Sequence, residues 1–219
     1  METGRTAPPS AAHLFGPYLP LAEQYAGMLA DVAVQRGLLG PREAERIWER
    51  HLLNCAVVAE LLPPDAGVLD LGTGAGLPGI VLALVRPDVR VMLVEPMLRR
   101  VEFLVECVQA LGLDTVTVRR ARAEELVGGV EVDVVTVRAV APLRRLLPLA
   151  MPLLTPGGRL LAMKGRQAAA ELAAASSLVR RVGGRRGRVL TCGAGVIDPP
   201  TTVVEVRRLG GPPPSDGSP

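Results

Sequence analysis

Apolar residues recur at helical spacing across residues 21–36, and Gly37 and Gly40 stop that helix. Pro41 opens a second helix at the favoured first-turn position, running through Trp48 to about Leu62, where Pro63-Pro64 ends it. Beyond these two helices the period shortens. Apolar runs bounded by turn residues predict strands at 68–71, 91–94, 115–118, 132–137 and 159–163, with helices at about 77–85, 98–111 and 143–151 between them. Strands alternating with helices require crossover connections, and so a mostly parallel sheet covered on both faces. The last two strands, 188–192 and 202–207, are joined by a loop with no room for a helix and pair antiparallel at the sheet edge. The expected organisation is a helical extension over 17–64 and a doubly wound α/β domain over 65–209. Residues 1–16 and 210–219, rich in Pro, Gly, Ser and Ala, read as disordered tails.

The turn after the first strand, Asp70-Leu71-Gly72-Thr73-Gly74-Ala75-Gly76-Leu77-Pro78-Gly79, carries the chemistry. So tight a turn needs positive φ or close backbone approach, and a Cβ would fill the space of a ligand. Gly74, Gly76 and Gly79 fit G-x-G-x-x-G, the dinucleotide fingerprint whose third glycine lets helix and strand pack closely. Asp70, two residues before Gly72, instead suits a cationic occupant, and S-adenosylmethionine (SAM) with its ammonium and sulfonium is one.

Glu95 closes the second strand 19 residues after Gly76, where an acid accepts hydrogen bonds from ribose hydroxyls. NAD and SAM both offer those hydroxyls, so Glu95 indicates a nucleoside without choosing between them; before Pro96 it is equally suited to cap a helix. Arg122-Ala123-Glu124, just past the third strand, discriminates more. An acid there can receive an adenine amino group while Ala123 presents its backbone N–H to a ring nitrogen. Three carboxylates at consecutive strand ends match SAM. A doubly wound sheet ending in an antiparallel hairpin is typical of class I SAM-dependent methyltransferases, whereas a dinucleotide-binding sheet continues in parallel.

Composition changes the picture in three ways. The net charge is only +3, but basic residues cluster at Arg99-Arg100, at Arg119, Arg120 and Arg122, at Arg144-Arg145, and from Arg180 to Arg188. Such clusters form either a phosphate-tracking face or a plain solvated surface. An aromatic content of 2% argues against the stacking platforms of single-strand binders. Among 25 basic residues only Lys164 is a lysine, which suggests a site that wants a compact ammonium rather than a planar fork. Cys55, Cys107 and Cys192 lie far apart and read as buried thiols, with neither a disulfide framework nor a metal site. No apolar run reaches the ~20 residues that span a bilayer, and no signal-peptide pattern opens the chain. A soluble cytoplasmic protein without membrane contact is expected.

Amino-group methyltransferases commonly place D/N-P-P-Y/F after the fourth strand, but here the residues are Arg138-Ala139-Val140-Ala141-Pro142. Asp198-Pro199-Pro200 falls too late, lacks the aromatic, and reads as a turn.

From about Pro41 to Arg208 the chain resembles the bacterial small-subunit ribosomal RNA methyltransferase G family, also called glucose-inhibited division protein B. The residues that carry the resemblance are Trp48-Glu49-Arg50-His51-Leu52-Leu53-Asn54, the glycine run from Asp70 to Gly79, Arg122-Ala123-Glu124, Arg138-Ala139 and Lys164-Gly165. Val137 stands where members often have serine, and Asn54-Cys55 where many show Asp-Ser. The resemblance implies methyl transfer from SAM to N7 of one guanine in the 530-loop region of 16S rRNA, within the small subunit or its assembly intermediate, by a monomer. It carries cofactor contacts to Gly72, Leu77, Ala123, Glu124 and Arg138, with Glu95 as ribose ligand, beside Asp70, Gly74 and Gly76 from the motif itself. Arg138 and Lys164 are expected to position RNA at the reacting base, with Arg122 a further RNA contact; His51, on a helix with Asn54 and Cys55 at i+3 and i+4, reads either as a lid or RNA contact or as a histidine packed against the core. Guanine N7 has a lone pair and no proton, so in-line transfer needs no general base. The rival readings are an NAD-binding oxidoreductase, a non-catalytic SAM- and RNA-binding assembly factor, and a small-molecule methyltransferase.

Overall fold

The computed structural model describes residues 6–138, 141–185 and 187–210. Its sheet has seven strands: β1 (Gly67–Leu71), β2 (Arg90–Val94), β3 (Val116–Arg119), β4 (Val132–Arg138), β5 (Leu154–Lys164), β6 (Arg188–Cys192) and β7 (Thr201–Arg207). Their spatial order is β3-β2-β1-β4-β5-β7-β6, the first five parallel and β7 antiparallel to both its neighbours. This is the doubly wound sheet with a reversed C-terminal hairpin that the patterning predicts. The order turns back between β1 and β4, and at such a switch point the carboxyl ends of the strands leave a crevice for a ligand.

The helices are α1 (Pro9–Phe15), α2 (Leu19–Met28), α3 (Pro41–Ala44), α4 (Leu53–Ala56), α5 (Gly79–Val85), α6 (Leu98–Ala110), α7 (Leu143–Ala150), α8 (Ala168–Ala174) and α9 (Ser176–Arg181). One face of the sheet, through Val68, Val134, Leu161 and Val203, packs on the N-terminal helices and α5. The other, through Leu69, Val135, Ala162 and Val204, packs on α7 and α9. Alternation along each strand assigns every side chain to one of these faces, and that assignment decides the site.

Three expectations need correction. The disordered tail proposed for residues 1–16 is wrong from Pro9 onward: α1 buries Ala11 and Phe15, and Phe15 meets Trp48 edge to face at 6.0 Å. Of the expected tails, residues 1–5 and 211–219 lie outside the described residues. The single helix expected from Pro41 to Leu62 is four pieces: α3, a π-helical segment Ile47–Leu52, α4 and a 3-10 segment Val57–Leu61. Asn54 accounts locally for the wide turn, its amide donating to the carbonyls of Glu49 (2.9 Å) and Arg50 (3.2 Å) in competition with the regular ladder. Helices α8 and α9 occupy a stretch with no predicted element.

Candidate functional site

The loop after β1 is built around its own carboxylates. Gly72, Gly74 and Gly76 have φ of 68°, 62° and 104°, conformations that favour glycine. The loop is moored to the end of β2, where the amides of Gly72 and Thr73 donate to the Val94 carbonyl. A Cβ on Gly76 would lie 2.7 Å from the Tyr25 hydroxyl, and one on Gly79 would lie 2.3 Å from Leu93 Cδ2 and 2.8 Å from Asp70 Oδ2. Gly79 is therefore the close-packing glycine that the motif predicts. At Gly74 a Cβ would meet no protein atom within 4 Å, so the loop has an open backbone face there.

Asp70 does not sit where the sequence suggests. β1 continues through Leu71, and alternation turns Asp70 onto the face covered by α5, beside its register partner Thr136. It is fully buried; Oδ2 accepts from Thr73 Oγ1 (2.5 Å) and the Gly79 amide (2.8 Å), and Oδ1 from Thr136 Oγ1 (3.1 Å). Burial raises its pKa to about 6 against the pull of these bonds. The expected contact with a cofactor cation is thus corrected: Asp70 clamps the loop from beneath. Glu95, also buried, joins two elements: Oε2 accepts from the Gly74 amide (3.1 Å) and Arg100 Nη1 (3.3 Å), and Oε1 from the Met97 amide (3.1 Å). Glu95 thus links the glycine loop to the chain entering α6, through the amides of Gly74 and Met97. Leu77 and Ala123 are buried, and Arg122 and Glu124 are exposed around the 3-10 turn Ala123–Leu126.

The second half of the site lies beyond β4 and β5. Arg138, at the end of β4, shares a face with Asp70 and meets the N-terminal helices. Its Nη1 lies 3.3 Å from Cys55 Sγ, and its Nη2 makes a short contact with His51 Nδ1. His51 Nε2 is 2.8 Å from Glu43 Oε2. Burial, and then the neighbouring Arg138 charge, pull the His51 pKa down to about 4, so the ring is neutral at physiological pH. A neutral ring that accepts from a guanidinium at Nδ1 carries its proton on Nε2, the nitrogen that lies near Glu43 Oε2 without a hydrogen bond of regular geometry.

Lys164 ends β5 on the opposite face. Its ammonium donates to the Ala141 carbonyl (2.6 Å) and pairs with Glu171 Oε2 on α8 (3.0 Å). Glu171 Oε2 also accepts the Leu143 amide at 2.8 Å, and these partners lower its pKa. The lysine is therefore a clasp between β5, α8 and the start of α7, not the free cation expected beside a base. Ala139 and Val140, which complete the predicted Arg138-Ala139 motif, lie outside the described residues.

A cavity of about 930 Å³ opens between these groups, with His51, Arg138 and Lys164 in its wall beside Arg50 and Arg166. Arg122 is not part of that wall. Pro199 and Pro200 line its far side, so the segment read as a turn also shapes the mouth. Thr201 ties this side to the N-terminal helices, its hydroxyl contacting Asn54 Oδ1 at 2.9 Å. The three cysteines are buried, and among the described residues no group of three His, Cys, Asp or Glu side chains could hold a metal. No helix of the described residues is long and apolar enough to cross a membrane.

Sequence reasoning missed Tyr25, Glu43 and Glu171. Tyr25 is buried on α2 and donates to the Ala75 carbonyl at 2.8 Å, a strut from the helical extension to the glycine loop. It is one of only two tyrosines, but an aromatic on an apolar helical stripe reads as core. Glu43 and Glu171 carry no local signal, because their partners lie on other elements.

The family described as rRNA small subunit methyltransferase G matches residues 19–197. A ribosomal RNA small subunit methyltransferase G from Thermobifida fusca is 56% identical over 197 residues, 90% of this chain and 83% of that protein. Another from Salinispora tropica is 56% identical over 214 residues, 93% and 88% of the two chains. Among solved structures, a SAM-dependent O-methyltransferase from Thermotoga maritima aligns with a TM-score of 0.57 at 14% identity, over 73% of this chain and 66% of that one. A precorrin-6y C5,15-methyltransferase from Geobacter metallireducens gives 0.54 at 15% identity, over 78% and 90%. At such identities the two structures speak for the fold alone.

Proposed function

The chain belongs to the rRNA small subunit methyltransferase G family, and from that membership we propose that it methylates N7 of a guanine in the 530-loop region of 16S rRNA. The observation that carries this reading is the presence, at the carboxyl ends of the parallel strands, of both a glycine loop with an open backbone face after β1 and a basic cavity of about 930 Å³ beyond β4 and β5. SAM is the cofactor, and when bound it supplies an electrophilic methyl group on a sulfonium. The residues fit it: Gly74 leaves room for a ligand against the loop, and Glu95 lies beneath that backbone with a carboxylate suited to ribose hydroxyls. Gly72, Gly76, Leu77, Ala123 and Glu124 complete the proposed cradle, with Asp70 setting the loop's shape.

Guanine N7 attacks with a lone pair and surrenders no proton, so the protein's task is alignment and charge placement. Arg138 is suited to that task, since its position is set by His51 and Cys55 before RNA arrives and its remaining N–H donors are available for a phosphate or guanine O6. A bidentate grip on O6 and N7 would occupy the nucleophile, so contact with N7 is excluded from its role. Lys164 acts at one remove, fixing the strand end and α8 around the cavity through Glu171. The substrate is 16S rRNA in the small subunit or an assembly intermediate, its guanine unstacked to reach the methyl, and the enzyme works as a cytoplasmic monomer.

Transfer of labelled methyl from SAM to purified small subunits, followed by mapping of the modified nucleotide, tests the reading. Label on guanine N7 of 16S rRNA is expected. Label on a base amino group or a ribose, or none on RNA, would overturn it.

A further inference from the structure

Four arginines converge at the other end of the sheet from the cavity. Arg159 and Arg207 are register partners across β5 and β7, as are Arg188 and Glu205 across β6 and β7. Directly paired residues and i, i+2 neighbours share a face, so these four side chains project together. Glu205, 3% exposed, is the hub. Its Oε2 accepts from Arg188 Nε at 2.9 Å and from Arg188 Nη2, and its Oε1 lies 3.2 Å from Arg207 Nε and 3.5 Å from Arg159 Nη1. Arg185 joins Arg188, Arg207 and Glu205 in the wall of a concavity of about 310 Å³.

The cluster is charged far beyond its internal needs. Four guanidiniums face one carboxylate, and the neighbouring Arg207 charge adds to burial in lowering the Arg159 pKa. Glu205 holds three of them in place without using up their donors. The Arg188 and Arg207 side chains remain 59% and 43% exposed, and each guanidinium has five N–H groups. Planar forks fixed in advance, open to solvent and in electrostatic excess recognise phosphate groups bidentately. Among the described residues no aromatic side chain lines the wall, so contact there is with backbone rather than stacked bases.

We propose that this concavity is a second RNA site, binding phosphodiester groups of the small-subunit rRNA away from the reacting base. The proposal rests on the reading of rRNA as substrate. β5 runs from Arg159 at this end to Lys164 at the cavity, and five steps of about 3.3 Å separate the two by roughly 16 Å. That span is short enough for one structured RNA to engage both.

The test is the equilibrium affinity for 16S rRNA across a salt series, with SAM affinity and kcat at saturating RNA measured alongside, for wild type, Arg185→Gln and Arg185→Gln/Arg188→Gln. Arg185→Gln leaves every bond to Glu205 intact, so it reads the site without disturbing the fold. The slope of log affinity against log salt is expected to fall by about 1 in the single variant and about 2 in the double. Affinity at low salt should drop severalfold while SAM affinity and kcat hold. Slopes and affinities equal to wild type in both variants would overturn the proposal. So would coincident slopes with inorganic phosphate raising the melting temperature of wild type alone, which would make the concavity a free-anion site. Reduced slopes with wild type placing no methyl on guanine N7 would sustain the RNA site and remove the reaction assigned above.

Discussion

In the glycine loop, buried charge is met mostly at short range: Asp70 binds Thr73 and Gly79, three and nine residues away, and Glu95 binds Gly74 across 21, with Thr136 the one distant partner of Asp70. In the cavity, charge is met across the fold, Arg138 reaching back 87 residues to His51 and 83 to Cys55. The first arrangement makes a loop whose turn is written in a dozen consecutive residues and is propped from β2, β4 and α2. The second is assembled only when the N-terminal helices dock, so its geometry depends on packing far from the site. The difference teaches that the glycine loop is preorganised mainly by local backbone chemistry, whereas the cavity wall around Arg138 is preorganised by tertiary contacts.

The hardest way to break the first half is to fill it. Gly79→Val pushes a side chain into Leu93 and Asp70 and is expected to cost about 3 kcal/mol and to abolish SAM binding, read by denaturant unfolding and calorimetric titration. Asp70 gives the next largest effect, through pH. Its raised pKa of about 6 means that the native state holds this proton more tightly than the unfolded chain, where a carboxyl titrates near about 3.9. The stability this provides is fully present below about pH 4 and is lost as pH rises through about 6. Asp70→Asn cannot ionise, so from pH 4 to 7 wild type should lose about 2 to 3 kcal/mol relative to the variant. Parallel pH profiles would mean that burial does not govern Asp70.

The cavity half should yield to a different kind of change. His51→Ala removes the acceptor that holds Arg138 and is expected to lower kcat/KM for methyl transfer about 10- to 100-fold with little change in SAM affinity. His51→Asn, which keeps an acceptor near the δ position, should recover most of it. Equal losses in both variants would show that ring packing, not the bond to Arg138, matters. The smallest effect is expected at the Lys164 clasp, because a partly exposed ion pair is worth about 1 kcal/mol or less. Glu171→Gln should change kcat/KM by no more than about fivefold. A loss as large as that of His51→Ala would make the two faces of the cavity equals.

These contrasts also explain what could be read in advance. All seven strands, their mostly parallel arrangement and the antiparallel hairpin follow from periodicity, since strand alternation and turn residues are local properties. The glycines at positive φ were legible for the same reason. Asp70 is legible as a strand-end acid but not as a buried one, because its orientation beneath α5 and its partners Thr73, Gly79 and Thr136 are set by how the strand packs. Lys164 stood out as the sole lysine, but its pairing with Glu171 was invisible. The wide π turn at Ile47–Leu52 and the ordering of α1 on Trp48 were equally hidden.

The amino-acid sequence by itself determined the order of elements, the cofactor loop and the family, because each is written in short runs of residues whose spacing constrains backbone geometry directly. Only the tertiary structure decided which charges are free and which are spent: Asp70 inside the loop, Lys164 on Glu171, Arg138 held by His51, and three arginines gathered around Glu205. The reason is physical. Whether a buried or half-buried charge is available to a ligand depends on the partner that faces it, and that partner comes from whichever element the fold packs alongside.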